Sequence, residues 1–198
     1  MRPLPFSGQL LYALLFWATF GSWILFEFTA ARRNSARGAS NLRDRGSLRL
    51  IAILFSIGLT LAFSLSFLLP RAGIHGNRKL VYFVGIGLML TGMAVRQHAM
   101  SALGRFFTFE VAISTDHTLV QSGLYRYVRH PSYTGALITQ LGLGLSLGNW
   151  ASLLSLLTCI GIAYTYRISV EESALLAALG APYREYMRRT TRLIPFLF

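Results

Sequence analysis

Residues 48–69 read LRLIAILFSIGLTLAFSLSFLL and contain one charged side chain, that of Arg49. An α-helix rises about 1.5 Å per residue, so this run extends for roughly 30 Å, the thickness of the hydrocarbon core of a bilayer. Pro70 follows the run directly and favours a stop there, because proline interrupts helical hydrogen bonding. The stretch therefore predicts a transmembrane helix.

Four further apolar stretches accompany this one and predict five spans in all. The five predicted spans are residues 10–28, 48–69, 80–96, 132–147 and 150–166. The turn signal Gly148-Asn149 separates the last two. Each of these holds only about 16 or 17 residues, fewer than the ~20 that a span usually needs. We therefore expect them to form a tight helical hairpin that either crosses with little tilt or does not fully reach the far interface.

The composition agrees with a membrane environment. The 198 residues are 54% hydrophobic and 13% charged, with a mean hydropathy of +0.50, whereas a soluble domain carries roughly a quarter charged residues. The single cysteine, Cys159, lies inside an apolar run and is expected to serve as inert packing. The predicted fold class is an all-α, polytopic integral membrane protein with about five transmembrane helices.

The N-terminal run predicts a retained helix and not a cleaved signal peptide. Arg2 precedes it, as a basic residue precedes a signal peptide. However, about 19 apolar residues are enough to span. Trp17, Trp23 and Phe26 also stand where a cleavage site would require small residues.

The charge distribution predicts the orientation. The chain has 19 basic and 7 acidic residues, a formal net charge of +12. Its arginines lie between apolar spans and not along one stripe, which favours membrane orientation over nucleic-acid binding. Residues 30–49 hold one acidic residue, Asp44, and six arginines: Arg32, Arg33, Arg37, Arg43, Arg45 and Arg49. The positive-inside rule places this loop in the cytoplasm, and counting spans places residues 97–131 and the tail after Tyr166 on the same face.

Side chains capable of chemistry cluster in two segments of that face. Residues 117–133 read HTLVQSGLYRYVRHPSY, and residues 167–172 read RISVEE. Ionisable groups at membrane depth are costly and by default indicate function.

Structural interpretations of the same residues remain open. Pro131 suits the first turn of a helix, and Ser169 to Glu172 has the spacing of a capping box that would begin a C-terminal helix. Arg126 and Arg129 are typical of interfacial anchors. Residues 96–98, which read RQH, end the third predicted span, and we expect a plain helix terminus there.

The first segment resembles the signature of the isoprenylcysteine carboxyl methyltransferase family, which shares its Arg-His-Pro-x-Tyr core with membrane phospholipid methyltransferases. The second half of that signature follows in order: Glu171-Glu172, Leu175, Gly180, Tyr183, Tyr186 and Arg192-Leu193-Ile194-Pro195. The resemblance covers roughly residues 104–195. Two separated motifs in the same order are a specific signal.

The resemblance implies S-adenosylmethionine as the cofactor and a cytoplasmic site that holds it. It implies that this site is lined by His117, Thr118, Leu119, Val120, Tyr125, His130, Pro131, Ser132, Tyr133 and Glu171. It implies that Arg167 meets the carboxylate of the substrate, the C-terminus of a prenylated protein or another lipid-anchored carboxylate. No metal is expected, and Glu110 receives no role.

Residues 1–198 are interpreted as one membrane methyltransferase domain, with transmembrane helices in 1–100 and the cofactor-binding and catalytic half in 101–198. The expected location is the endoplasmic reticulum membrane in a eukaryote and the inner membrane in a bacterium.

A prenylcysteine α-carboxyl, with a reference pKa near ~3.5, is already ionised at neutral pH. It therefore needs a cation and not a base, and the planar fork of arginine binds a carboxylate through two hydrogen bonds. Glu171 is expected to accept from the ammonium of the cofactor.

Other functions stay open at this point. N-methylation of a phospholipid head group such as phosphatidylethanolamine would require His130 or a carboxylate to act as a base. A non-enzymatic membrane scaffold would retain the same hairpin. A transporter finds little support, because the inner spans are expected to lack buried charges and show no obvious inverted repeat. No strand–Gly-rich-loop–helix unit of a soluble methyltransferase domain is visible.

Overall fold

The computed structural model describes residues 9–33, 44–107, 109 and 119–194. This part of the chain is helical, with isolated β-bridges and no strand. The six α-helices are α1 (Leu10–Arg33), α2 (Ser47–Leu68), α3 (Arg78–Leu103), α4 (Pro131–Ser146), α5 (Trp150–Leu179) and α6 (Ala181–Arg189). Short 3₁₀ turns cover Pro70–Ala72, Gly104–Phe106 and Gly123–Arg126. The all-α fold class is confirmed.

Four of the described helices, α1, α2, α3 and α5, are long and apolar enough to cross a membrane. Their outward side chains are large and apolar, for example Leu14, Ile57 and Leu154, as expected for helices whose solvent is lipid. The fourth predicted span is a helix, α4, but its 16 residues fall short of a usual span. The protein is an integral membrane protein whose shortest core helix is held between longer ones.

Helices α3 and α4 lie in very close contact because small residues face each other. A Cβ atom added to Gly85 would lie 2.5 Å from the backbone nitrogen of Ser146, and one added to Gly92 would lie 2.5 Å from the carbonyl oxygen of Gly135. One added to Gly142 would lie 2.5 Å from the carbonyl oxygen of Gly85. Small residues permit this approach, and van der Waals packing is the main force between helices in lipid.

The hairpin between α4 and α5 is formed as the sequence predicts. Gly148 adopts a φ of +65°, a conformation that glycine tolerates without strain. The side chain of Asn149 then caps α5, accepting from the backbone N–H groups of Ala151 at 2.9 Å and Ser152 at 3.1 Å. The amide of Asn149 also donates to the carbonyl of Leu69 at 2.9 Å, which ties the hairpin to the end of α2.

Two predicted helix ends are wrong. Helix α3 continues past Arg96 to Leu103, and α5 continues past Tyr166 to Leu179. Ser169 and Glu172 therefore lie inside α5 and do not begin a separate helix. Arg96 and Arg167, at the predicted ends, instead find partners on neighbouring elements. Helix α5 ends only at Gly180, where φ is +61°.

The loop before α2, the start of α4 and the C-terminal tail meet at one end of the bundle. The hydroxyl of Tyr166 donates to the carbonyl of Arg45 at 3.2 Å, and the backbone N–H of His130 donates to the carbonyl of Arg192 at 3.0 Å. At the opposite end, the N–H of Ile74 donates to the carbonyl of Gly148 at 2.8 Å. The two segments with functional side chains thus lie at the same end, and the compartment that this end faces stays a prediction.

Candidate active site

A cavity of about 610 Å³ opens at this end and extends between the helices. Its walls on α1 and α2 are mainly apolar and include Trp23, Ile51 and Phe55. The charged groups Arg167 and Glu171 line it on α5. A cavity with one polar region and apolar walls suits an amphiphilic ligand.

Arg167 is buried, with 3% of its surface exposed, and its guanidinium is heavily engaged. Nε donates to the hydroxyl of Tyr133 at 3.1 Å, and Nη1 donates to Ser47 Oγ at 2.7 Å. Nη1 also donates to the carboxylate of Asp44, and Nη2 donates to the carbonyl of Phe109. Arg167 therefore joins α5 to α4 and to the residues that precede and begin α2.

Tyr133 connects Arg167 to Glu171. Its hydroxyl donates to Glu171 Oε2 at 2.8 Å while it accepts from Arg167. The Glu171 side chain is 30% exposed and contributes to the cavity wall. The ring of His130 stacks on that of Tyr133 with centroids 5.6 Å apart, and His130 Nδ1 lies 3.9 Å from Glu171 Oε2. The arrangement holds a carboxylate and an imidazole side by side at the cavity.

Glu172, the next residue, points into a different cluster. Its Oε1 accepts from Arg129 Nε at 2.9 Å and lies 3.4 Å from His130 Nε2. Its Oε2 accepts from Arg192 Nε at 3.1 Å. The prediction that Arg129 is an interfacial anchor is wrong, because its side chain is buried beside Glu172. Arg126 is exposed, as such an anchor would be.

The two motifs of the sequence meet in space through their backbones. The N–H of Arg129 donates to the carbonyl of Thr191 at 2.8 Å, and the N–H of Thr191 donates to the carbonyl of Tyr127 at 3.2 Å. The hydroxyl of Thr134 donates to the carbonyl of Leu193 at 2.6 Å. The tail after α6 thereby lies along the segment that leads into α4.

Tyrosines of α6 complete the wall near the tail. Tyr186 donates its hydroxyl to the carbonyl of Tyr125 at 2.7 Å, and burial raises the pKa of Tyr186 to about 12. Burial also raises the pKa of Tyr183, so both hydroxyls are protonated donors at neutral pH. The Tyr183 hydroxyl is buried and finds no hydrogen-bond partner within the described part of the chain. It lines the cavity and is therefore a donor suited to a bound ligand.

A buried ion pair joins α1 to α3 on the cavity wall. Arg96 Nη2 donates to Glu27 Oε2 at 2.9 Å, and Arg96 Nε lies 2.7 Å from Glu27 Oε1. Arg96 Nη1 donates to Ser132 Oγ at 2.8 Å. The prediction of a plain helix terminus at Arg96 is wrong, and so is the expectation that the inner spans lack buried charges.

The structure brings most of the predicted cofactor residues to one cavity. Those that line it are Leu119, Val120, Tyr125, His130, Ser132, Tyr133 and Glu171, together with the predicted substrate residue Arg167. Pro131 is the first residue of α4 and is buried, but it does not line the cavity. His117, Thr118 and Glu110 lie outside the described residues.

Sequence analysis missed several residues of the same cavity. Glu27 and Arg96 are charged residues within apolar helices. Because a charge inside a membrane is costly, their presence there indicates a functional role. Tyr183 belongs to the second motif but was given no role. Gln140 belongs to no motif, because its place on the cavity wall depends on how α4 packs. Asp44, which contacts Arg167 but does not line the cavity, belongs to no motif either.

Comparison with known proteins identifies similar sequences over much of the chain. Residues 85–177 match the model of the isoprenylcysteine carboxyl methyltransferase family. A relative named probable protein-S-isoprenylcysteine O-methyltransferase, from Oryza sativa subsp. indica, is 30% identical over 80% of this chain and 87% of the relative. The protein-S-isoprenylcysteine O-methyltransferase of Schizosaccharomyces pombe is 36% identical over 57% of this chain and 48% of the relative. This chain thus spans about half the length of the yeast relative and most of the rice one.

A solved structure agrees with these relatives. It is described as the eukaryotic intramembrane Ras methyltransferase, isoprenylcysteine carboxyl methyltransferase, without a monobody. It matches with a TM-score of 0.56 and 27% identity, covering 74% of this chain and 52% of the solved one. The shared part is a helical membrane fold.

Proposed function

Because the chain belongs to the isoprenylcysteine carboxyl methyltransferase family, we propose that it is an S-adenosylmethionine-dependent carboxyl O-methyltransferase. Its proposed acceptor is the C-terminal prenylcysteine carboxylate of a lipidated protein or a similar lipid-embedded carboxylate. The family resemblance of the sequence is confirmed by the comparisons.

One observation carries the proposal: a single cavity joins a polar cluster to apolar walls. The cluster contains Arg167, Tyr133 and Glu171, linked in that order by hydrogen bonds of 3.1 and 2.8 Å. The apolar walls come from α1 and α2. An acceptor with a carboxylate head and a lipid chain is divided in the same way. Its head would contact the polar cluster and its chain the apolar walls.

The residues present fit a sulfonium cofactor with an amino-acid portion. Glu171 presents a partly exposed carboxylate for an ammonium group, and Tyr183 presents a buried hydroxyl that no described residue engages. Leu119 and Val120 add an apolar surface at the same cavity. When bound, S-adenosylmethionine supplies an electrophilic methyl group, whose transfer to a carboxylate oxygen breaks a C–S bond and leaves a methyl ester and a thioether. The expected contribution of these residues is to position the cofactor relative to the acceptor.

The acceptor carboxylate needs a cation and no base, since it is already ionised at neutral pH. We assign this role to Arg167. An arginine has five N–H donors, and the donors of Arg167 bond to Tyr133, Ser47, Asp44 and the carbonyl of Phe109. These bonds engage four of the five donors, and a carboxylate held by two parallel hydrogen bonds needs two, so the acceptor replaces at least one of these oxygens when it binds. Asp44 is the most direct competitor because it is also a carboxylate.

The test is methyl transfer by purified protein in detergent or lipid. With labelled S-adenosylmethionine, a prenylcysteine acceptor should yield a base-labile methyl ester. Phosphatidylethanolamine should yield no labelled lipid. Transfer to phosphatidylethanolamine alone would replace the proposal with N-methylation, and transfer to neither would leave the scaffold interpretation.

A further inference from the structure

Gln140 lies on the face of α4 that forms the cavity wall. It follows Tyr133 by seven residues, almost two full turns of helix, so the two side chains project from the same face. Ala136 lies between them and also lines the cavity. Gln140 therefore stands roughly 10 Å along the helix axis from the polar cluster, in the direction of the hairpin.

The carboxamide of Gln140 is buried but incompletely paired. Only 2% of the residue is exposed, and among the described residues its Oε1 has no hydrogen-bond partner. The other buried polar side chains of α4 are satisfied: Thr139 donates to Gly135 O at 3.0 Å, and Ser146 donates to Leu143 O at 2.8 Å. The carbonyls of the same helix cannot satisfy Oε1 in this way, because Oε1 is itself an acceptor. Its burial without a partner is unfavourable.

Much of the cavity that Gln140 lines is hydrocarbon. Ile160 of α5, Phe55 of α2 and Trp23 of α1 line the same cavity as Gln140. A plain hydrocarbon chain would leave the amide unpaired among these side chains. A chain with a hydroxyl at this depth would pair with Oε1, since an amide oxygen accepts a hydrogen bond and a hydroxyl donates one.

We propose that Gln140 determines acceptor specificity by accepting, at Oε1, a hydrogen bond from a hydroxyl carried on the lipid chain. This inference rests on the proposed function, which places the carboxylate at Arg167 and Tyr133. A separation of roughly 10 Å corresponds to about eight bonds of extended chain, since three backbone bonds of a polypeptide span at most about 3.5 Å. The preferred acceptor is thus a lipid carboxylate that carries a hydroxyl about eight bonds from its carboxyl carbon.

The experiment compares two acceptors that differ in one group. The first is N-acetyl-S-farnesylcysteine, and the second carries a hydroxyl on the chain about eight bonds from the carboxyl carbon. The parent protein should methylate the hydroxylated acceptor with a kcat/KM roughly 10-fold higher than the plain one, because a site with a buried amide discriminates against a chain that leaves it unpaired. Gln140→Leu should lose or reverse this preference. Thr139→Val, which removes a neighbouring buried polar group outside the cavity, should keep it.

Equal preference in the parent and in Gln140→Leu would overturn the inference. Failure of the proposed function is distinguishable, because it would abolish methylation of both acceptors. In that case the same pair of molecules is compared by equilibrium binding, through the shift in Tm of the purified protein. A larger shift with the hydroxylated molecule, lost in Gln140→Leu, would support the role of Gln140, and equal shifts would contradict it.

Discussion

The guanidinium of Arg167, on α5, donates a hydrogen bond to the carboxylate of Asp44, just before α2. Asp44 Oδ2 also accepts from the backbone N–H of Leu48 at 3.1 Å and so caps the start of α2. One carboxylate thereby neutralises a buried cation, stabilises a helix start and occupies the group that we assign to the acceptor. An acceptor carboxylate at Arg167 therefore competes with Asp44 for the same guanidinium.

Replacing Asp44 by Asn should lower the KM for the acceptor several-fold, because the competing negative charge is removed from Arg167. The affinity for S-adenosylmethionine should stay unchanged. Stability should fall by about 2 kcal/mol, since a largely buried cation loses its charged partner. Ser47→Ala is the matched control: it removes a neutral contact to Arg167 and should leave the acceptor KM within about twofold. An acceptor KM that rises in Asp44→Asn would show that Asp44 supports acceptor binding.

Replacing Arg167 by Lys should reduce turnover at least 100-fold, because a point charge cannot hold a carboxylate by two parallel hydrogen bonds and the attacking oxygen loses its position. Equilibrium binding of S-adenosylmethionine should persist. Nearly normal turnover in the lysine variant would remove Arg167 from the acceptor site.

Turnover should change little between about pH 6 and 8, because the acceptor carboxyl, with a reference pKa near ~3.5, is ionised throughout that range. An ammonium acceptor behaves differently, since its proton must leave before the nitrogen attacks. The rate at saturating acceptor is the measurement. A steep rise across this window would favour N-methylation.

Replacing Glu171 by Gln should weaken binding of S-adenosylmethionine by ~1.5–3 kcal/mol, the value of a hydrogen bond to a charged group. Glu172→Gln is the contrasting variant, because Glu172 pairs with Arg129 and Arg192 and not with the cavity. It should mainly lower the Tm. Titration calorimetry on both proteins separates the roles, and equal affinities in parent and Glu171→Gln would deny Glu171 its proposed contact.

Replacing Gly92 by Ala should destabilise the protein by about 1–3 kcal/mol, the usual cost of overpacking. The added Cβ would meet the backbone of α4, 2.5 Å from the carbonyl oxygen of Gly135. Gly87→Ala, in the same helix, has nothing within 4 Å of its added Cβ and should be neutral or slightly stabilising. Thermal unfolding in one detergent compares the two, and equal Tm values would contradict the close contact between α3 and α4.

Single cysteines introduced at Ser40 and Arg188, in a Cys159→Ala background, should be labelled from the same side of the membrane. The arginine-rich loop predicts that this side is the cytoplasm. An impermeant thiol reagent applied to intact cells and to inverted vesicles reads out the side. Labelling from opposite sides would be incompatible with the contact between Arg167 and Asp44.

The sequence by itself determined the fold class, the starts of α1 to α5 within about two residues and the family. Apolar runs indicate a lipid environment locally, and turn signals such as Gly148-Asn149 act over a few residues, so neither requires knowledge of distant contacts. The Arg-His-Pro-x-Tyr core and Glu171-Glu172 are likewise local patterns. They identified residues that prove to line one cavity, among them His130 and Tyr133.

Only the tertiary structure decided where α3 and α5 end and which groups pair. The polarity of Arg96 and Arg167 resembled a helix end in the sequence, but each is buried because a carboxylate distant in sequence, Glu27 or Asp44, neutralises it. Long-range electrostatic pairing leaves no periodicity in either segment alone. The place of Gln140 on the cavity wall is likewise set by packing. The small residues of α4 turn one of its faces to α3, and this decides which face lines the cavity.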